Sequence, residues 1–364
     1  MRLTVQTAFL GDALLSIPLL RALRADAPLH LVVRKGLAEF FRNAELADEV
    51  FEVEKGSAAS YSALARTLSA YRYRQIFAVH ESFRTAHFVR SLKADEKIGF
   101  RKWWSPLFWD QAHVRPKSWP EALRALSLLQ ARPEWRERLL HWRQMSEGTE
   151  GGVGANGEFV TVPDWAHMQV SKLMGRARAS RAVIAPGSVW ATKRWTEDGF
   201  VEVARALREQ NFVEEIVWSG SRDEAELCTR LAERVGGRSL AGELNIWQTA
   251  ELMAESKLVI SNDSGAQHLA CTSDTPVVSI FGPTVLEFGY RPWSNRARVV
   301  QESGSSSPAK VGGRMSCRPC GTHGARQCPI GTHACMKNVE AQMVIEAVRS
   351  VLLDSRAERE GIRL

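Results

Sequence analysis

The chain opens with a change of hydrophobic rhythm. "LTVQTAFLGDALLSIPLLRALRA" starts as a short β-rich run, passes a glycine-containing loop, and continues with Leu14, Leu15, Leu19, Leu20 and Leu23 at helical spacing. That is a strand, loop and helix unit. The strand-like runs "LHLVVR" and "QIFAVH" follow, separated by helical stretches, so the pattern to about residue 130 predicts parallel strands with crossover helices. Residues 146 to 158, "SEGTEGGVGANGE", are rich in glycine and poor in large apolar residues, which marks a linker or mobile loop. The alternation then restarts with "RAVIAPGS", a helix from about Thr196, "EEIVWSGS", a helix from about Asp223, "SKLVISNDSG", a short helix and "TPVVSIFGPT". An amphipathic stretch, "VEAQMVIEAVRSVLLDS", predicts a terminal helix. The expected architecture is α/β, with two Rossmann-like domains facing a central cleft, residues 1–165 and 166–364. Ligands are expected at the carboxyl ends of the strands.

Length and composition fit that picture. The 364 residues are 45% hydrophobic and 24% charged, which excludes disordered, collagenous and membrane-spanning classes. The net charge of +7 favours an anionic partner such as a nucleotide, a phosphorylated glycan, a lipid headgroup or nucleic acid. Arg2, Asp12, Arg21 and Arg24 interrupt the apolar start and nothing resembling a cleavage site follows, so a cytoplasmic location is expected. No uncharged apolar run is long enough to span a bilayer, and any membrane contact is expected to be peripheral.

Several segments carry candidate chemistry. In "VISNDSGAQHLA" a strand runs into an Asp-Ser-Gly turn and a helix start, whose free N–H groups suit a phosphate; Asp263 or Ser264 could equally be a plain helix cap, with Gly265 easing the turn. His268, one turn in, could be a core histidine. In "IAPGSVWATKRWTEDGF" the loop with Ser188 leads to Lys193 and Arg194 just ahead of a helix start, a pair suited to a pyrophosphate or else simply solvated. Ser221 and Glu224 form an S-x-x-E capping box, although Glu224 could also bind a ribose diol. Asp12 follows Gly11 beside a helix start, as a cap or a general base. Neither G-x-G-x-x-G after a strand nor G-x-x-x-x-G-K-[ST] occurs, which weakens nicotinamide and P-loop readings.

Residues 84 to 117 hold eight basic against three acidic side chains, a balance of +5. Within them Arg101 and Lys102 stand beside Trp103, Trp104 and Trp109, a mixture that suits a sugar-phosphate acceptor, an anionic membrane or single-stranded nucleic acid, and equally an aromatic core. Cys317, Cys320, Cys328 and Cys335 fall in a C-x2-C-x7-C-x6-C pattern that could hold a structural zinc, with His323 or His333 as substitutes, or could tie a loop as packed thiols.

Taken together, "GDALLSIPLLRALR", "PGSVWATKRW", "SGSRDE", "SNDSGAQHLA", "FGPT" and "CRPC…CP…CM" resemble, in order, the ADP-heptose:lipopolysaccharide heptosyltransferase family. These are inverting glycosyltransferases of GT-B fold. Thr196 stands where the family's "KRW" element usually continues with proline. The resemblance implies that Asp12 is the general base and that Lys193 neutralises the departing diphosphate. Asp263, Ser264 and Gly265 would line the donor site, Glu224 would hold the ribose and His268 would support the loop; Gly11, Ser188 and Arg194 complete the donor-binding candidates. It implies ADP-heptose as donor, no cofactor needed for catalysis, and a lipopolysaccharide inner-core acceptor, either Kdo-modified lipid A or an already heptosylated core. Arg101 and Lys102 are the acceptor-binding candidates, and the enzyme would sit peripherally on the inner face of the cytoplasmic membrane. The alternatives are another nucleotide sugar, or a non-catalytic nucleic-acid-binding protein, which the lack of any recognised reading module disfavours.

Overall fold

The computed structural model describes residues 1–137, 139–140, 180–302, 310–311, 314–315 and 317–359. The chain divides into two compact units, Met1–Gly148 and Thr149–Leu364. The predicted linker at 146–158 and the expected boundary between 165 and 166 lie outside the described residues.

The first unit is built on six strands: β1 (Arg2–Gln6), β2 (Leu29–Arg34), β3 (Glu49–Val53), β4 (Tyr73–Ala78), β5 (Ala94–Phe100) and β6 (Gln111–His113). They are all parallel, in the order β3-β2-β1-β4-β5-β6. The second unit repeats the plan with β7 (Arg181–Ala185), β8 (Glu215–Trp218), β9 (Arg238–Ser239), β10 (Leu258–Asn262), β11 (Val277–Phe281) and β12 (Ala297–Gln301). Its order, β12-β11-β10-β7-β8-β9, is the same one when counted from its own first strand. Both sheets are therefore doubly wound α/β sheets, and both reverse direction between their first and fourth strands. Crossovers leave in opposite directions there and open a crevice outside the carboxyl ends. In the first unit that point lies between β1 and β4, in the second between β7 and β10.

The central strands are buried on both faces, as helices on each side of a parallel sheet require. Trp218 and Phe281 are fully buried in the second core, and the terminal helix Ala341–Arg359 packs on the helix Glu197–Glu209 and on β11 and β12. The sequence pattern misplaces one early feature. The single helix expected after β1 is two, Leu10–Leu15 and Ile17–Asp26, because Pro18 lacks the N–H that an uninterrupted helix would use and instead occupies the first turn of the second.

The tryptophan-rich segment is divided between core and surface. Trp104 and Trp109 are buried with Phe108 in the first core, and the Trp109 ring lies so close over Gly99 that any Cβ there would collide with it. Trp103 is 90% exposed. Trp109→Ala should therefore cost about 3–5 kcal/mol in chemical denaturation, whereas Trp103→Ala should stay within about 0.5 kcal/mol of wild type. Equal losses would contradict this division.

Candidate functional site

The switch point of the second sheet gathers most of the residues singled out from the sequence. The loop after β7 carries Ser188 and leads through a 3-10 turn, Ala191–Lys193, to the helix Glu197–Glu209, whose cap is Thr196 accepting from the Gly199 N–H. The loop after β10 carries Asp263 and Ser264 into the helix Gly265–Thr272. Between the two loops Lys193 Nζ lies 2.6 Å from Asp263 Oδ2, with both side chains largely buried.

That carboxylate is well supplied with donors. Thr284 Oγ1, after β11, donates to Asp263 Oδ2 at 2.6 Å, and Gln267 Nε2 donates to Oδ1 at 3.2 Å. Ser264, rather than Asp263, caps the helix, accepting from the Ala266 N–H at 3.4 Å. Asp263 is thus committed to the lysine and its neighbours, which removes the plain-cap reading for it. His268 is buried behind this group, and burial, only partly offset by Asp263, pushes its pKa down to about 4, so the ring is neutral.

Two further residues hold the loops in place, and sequence reasoning missed both. Asn262, fully buried at the end of β10, donates to Pro186 O at 2.7 Å and accepts from the Trp195 N–H at 3.0 Å. It ties the loop after β7 to β10 at both ends. Thr284 is the other; its only sequence signal was its place after a strand in "FGPT". Trp195 is core, meeting the Phe200 ring edge-on at 5.0 Å, with its Nε1 donating to Val339 O at 3.0 Å.

Glu224 forms the predicted capping box, accepting from the Ser221 N–H at 2.8 Å. Its carboxylate also lies against Gly187 and Gly220, where a Cβ at Gly187 would fall 1.9 Å from Glu224 Oε1. Those glycines bring an acid from the end of β8 beside the loop after β7. Arg194 is exposed, with Nε donating to the Ser188 carbonyl at 2.8 Å.

The cysteine segment braces the same site from outside. Thr192 and Ala325 exchange hydrogen bonds, and His333 Nε2 donates to Thr192 O at 2.8 Å. On the far side the Arg318 guanidinium donates twice to Thr284 O, and Cys320 N donates to Pro283 O. The segment therefore grips the loops that carry Lys193 and Thr284. Among the described residues no three His, Cys, Asp or Glu side chains are grouped as ligands for a metal ion. Burial pushes the Cys335 thiol up to about 12, and His323 is exposed.

In the first unit Gly11 and Asp12 lie in the first turn of the helix Leu10–Leu15, directly after β1. Phe9 is its cap residue, so Asp12 does not cap this helix. Opposite, at the end of β4, His80 Nδ1 lies 3.0 Å from Thr7 Oγ1 and 3.1 Å from Thr85 Oγ1, and burial holds its pKa down at about 4. Arg34 and Lys55 lie over the Phe9 ring at 4.6 and 5.4 Å. Gly11 thus stands with Asp12 in the first unit, while the other donor candidates stand in the second. Lys102 pairs with Glu81 at 2.9 Å, and Glu81 also takes Arg115 at 3.2 Å. The +5 balance of residues 84–117 is reduced accordingly, because Glu81 lies just outside the span that was counted. Arg101 remains exposed.

Comparison with known proteins bears on the same regions. Residues 61–316 match the model of glycosyltransferase family 9 (heptosyltransferase). The chain is 28% identical over 177 residues to lipooligosaccharide heptosyltransferase 2 of Campylobacter jejuni serotype O:2, covering 47% of this chain and 50% of that protein. The match thus spans about half the length of that relative. It is 24% identical over 323 residues to lipopolysaccharide heptosyltransferase 2 of Salmonella typhimurium, covering 82% and 87%. Among solved structures, E. coli ADP-heptose lps heptosyltransferase II superposes with a TM-score of 0.73 at 20% identity over 98% of this chain and all of that one.

Two neutral histidines, the buried His268 and the half-buried His80, give a pH dependence of known sign. Between about pH 6.5 and 4 an unfolded histidine takes a proton that folded His268 or His80 refuses, so unfolding gains as pH falls, by on the order of 3 kcal/mol per group across that span. Stability measured by urea denaturation should be full above pH 6.5 and decline towards pH 4. His268→Asn should flatten that decline, and an unchanged slope would show that His268 is protonated in the fold.

Proposed function

The chain belongs to glycosyltransferase family 9, the heptosyltransferases, and from that premise we propose that it transfers heptose from ADP-L-glycero-D-manno-heptose to the lipopolysaccharide inner core. The observation that carries this reading is the meeting of Lys193 and Asp263 at the switch point of the second sheet, beside Glu224 and the start of the helix Gly265–Thr272. A cation, a helix N-terminus and an acid within reach of a ribose form a set suited to a nucleoside diphosphate.

The reaction is an inverting displacement. Asp12 takes the proton of the acceptor hydroxyl as its oxygen bonds to the anomeric carbon, and the bond from that carbon to the diphosphate breaks on the opposite side. ADP leaves with the bonding electron pair. An ammonium has three N–H donors and Asp263 takes one, so Lys193 can meet the leaving oxygens without giving up its partner. The N-terminal dipole of the helix Gly265–Thr272 adds to that stabilisation, so the charge is met by fixed groups of the protein. Ser188, Arg194, Ser264 and Gly265 line the donor side, and His268, neutral and buried, supports Gln267 and through it Asp263.

The similarity to E. coli ADP-heptose lps heptosyltransferase II supports the choice of donor. No helix among the described residues is long and apolar enough to cross a membrane, and we place the enzyme at the cytoplasmic face of the inner membrane, in contact with it peripherally.

The test is transfer by the purified chain from ADP-heptose, UDP-glucose or GDP-mannose to heptose-deficient lipopolysaccharide, read by mass spectrometry. One added heptose from ADP-heptose alone is expected. Asp12→Asn should lower turnover about a thousandfold with ADP affinity within about twofold of wild type. Loss of both together would remove Asp12 from the role of base, and preference for another donor would reassign the substrate.

A further inference from the structure

Four large apolar side chains of the first unit stand in water at one end of its sheet. Phe83, Trp103, Leu107 and Val114 are 57%, 90%, 66% and 60% exposed. They come from the segments that follow β4, β5 and β6, three adjacent strands, all at their carboxyl ends. Ring and backbone contacts join these segments into one surface. The Phe83 ring meets buried Trp104 and Phe108 edge-on at 5.9 and 5.3 Å, the Leu107 N–H donates to Trp104 O, and the Arg101 N–H donates to His113 O beside Val114.

Cations frame this surface. Arg90 lies over the Phe108 ring at 5.6 Å and donates to Leu107 O at 2.8 Å, while Arg84 and Arg101 are exposed and form no salt bridge among the described residues. Singly exposed apolar residues are ordinary, but four on neighbouring loops, rooted in one aromatic cluster and edged with arginines, form a patch that water alone does not explain.

We propose that this surface docks the enzyme on an anionic phospholipid bilayer, with Trp103 and Leu107 entering the interface and Arg84, Arg90 and Arg101 meeting lipid phosphates. The proposal rests on the reading of the acceptor as a lipid-borne saccharide. Charge complementarity selects the bilayer: tryptophan favours the headgroup level, and arginines beside inserted apolar groups gain from negative lipid. Placement agrees with it. Asp12 follows β1, at the same carboxyl end of the same sheet, so docking through the ends of β4 to β6 brings the proposed base to the level where a membrane-anchored acceptor presents its sugars.

The experiment is co-sedimentation of the full chain with phosphatidylglycerol-containing vesicles and with pure phosphatidylcholine vesicles, for wild type and for Trp103→Ser/Leu107→Ser. Wild type should bind the anionic vesicles more tightly, and the variant should lose about tenfold or more of that affinity. Its turnover on a de-acylated, soluble acceptor should match wild type, which also confirms folding. Equal binding by variant and wild type, or no binding by wild type, overturns the docking surface. Vesicle binding through this patch without heptose transfer would leave the docking standing and remove the proposed reaction; transfer without vesicle binding would do the reverse.

Discussion

The buried pairing of Lys193 with Asp263 is the constraint around which the second unit is organised. Taking two opposite charges out of water is costly unless each finds further polar partners, and an unsupported pair at this depth would be a liability. Thr284 and Gln267 supply that support, and each is fixed in turn. Arg318 holds the Thr284 carbonyl, Tyr290 accepts from Gln267, and Asn262 binds the two ends of the loop after β7. The pair thus joins the ends of β7, β10 and β11 into a single polar unit. A buried ion pair contributes little to net stability by comparison with apolar packing, so its value lies in holding a cation where the fold opens a crevice.

The same logic explains the cysteine segment. Its hydrogen bonds to Thr192 on one side and to Pro283 and Thr284 on the other brace the two loops that hold the pair, while Cys317 packs on the core and Cys335 is buried. In the described structure this segment lies as a strap over the site. The first unit repeats the topology with other chemistry. At its switch point Asp12 stands on a helix turn after β1, a half-buried neutral His80 held by Thr7 and Thr85 follows β4, and two cations lie over Phe9. Two sheets of one strand order therefore carry different side chains at their switch points, a buried Lys193–Asp263 pair in one and Asp12 on a helix turn in the other.

Much of the fold was legible because parallel strands buried on both faces read as apolar runs. β1, β2, β4, β7, β8, β10 and β11 all announce themselves this way. β3, β6, β9 and β12 do not, because they lie at sheet edges and need no continuous apolar face, and β5 does not, because its first half carries Asp95, Glu96 and Lys97 at incompletely buried positions. The second-unit site was legible at Lys193, Asp263 and Glu224, where charged residues follow such strands. Asn262 was hidden because its work is to bond backbone carbonyls, which no local pattern records. Trp104 and Trp109 could not be separated from Trp103 by composition, since only the turn Ser105–Leu107 decides which rings point inward.

The most direct measurement of the central claim, that Lys193 at the second switch point receives the donor diphosphate, is calorimetric titration of wild type and Lys193→Ala with ADP, UDP and adenosine, without added metal. Wild type should prefer ADP to UDP. Lys193→Ala should weaken ADP by about 10- to 100-fold, the value of charge-assisted hydrogen bonds, while adenosine should bind both proteins alike. Equal ADP affinity in the two proteins, or a preference for UDP, would contradict it.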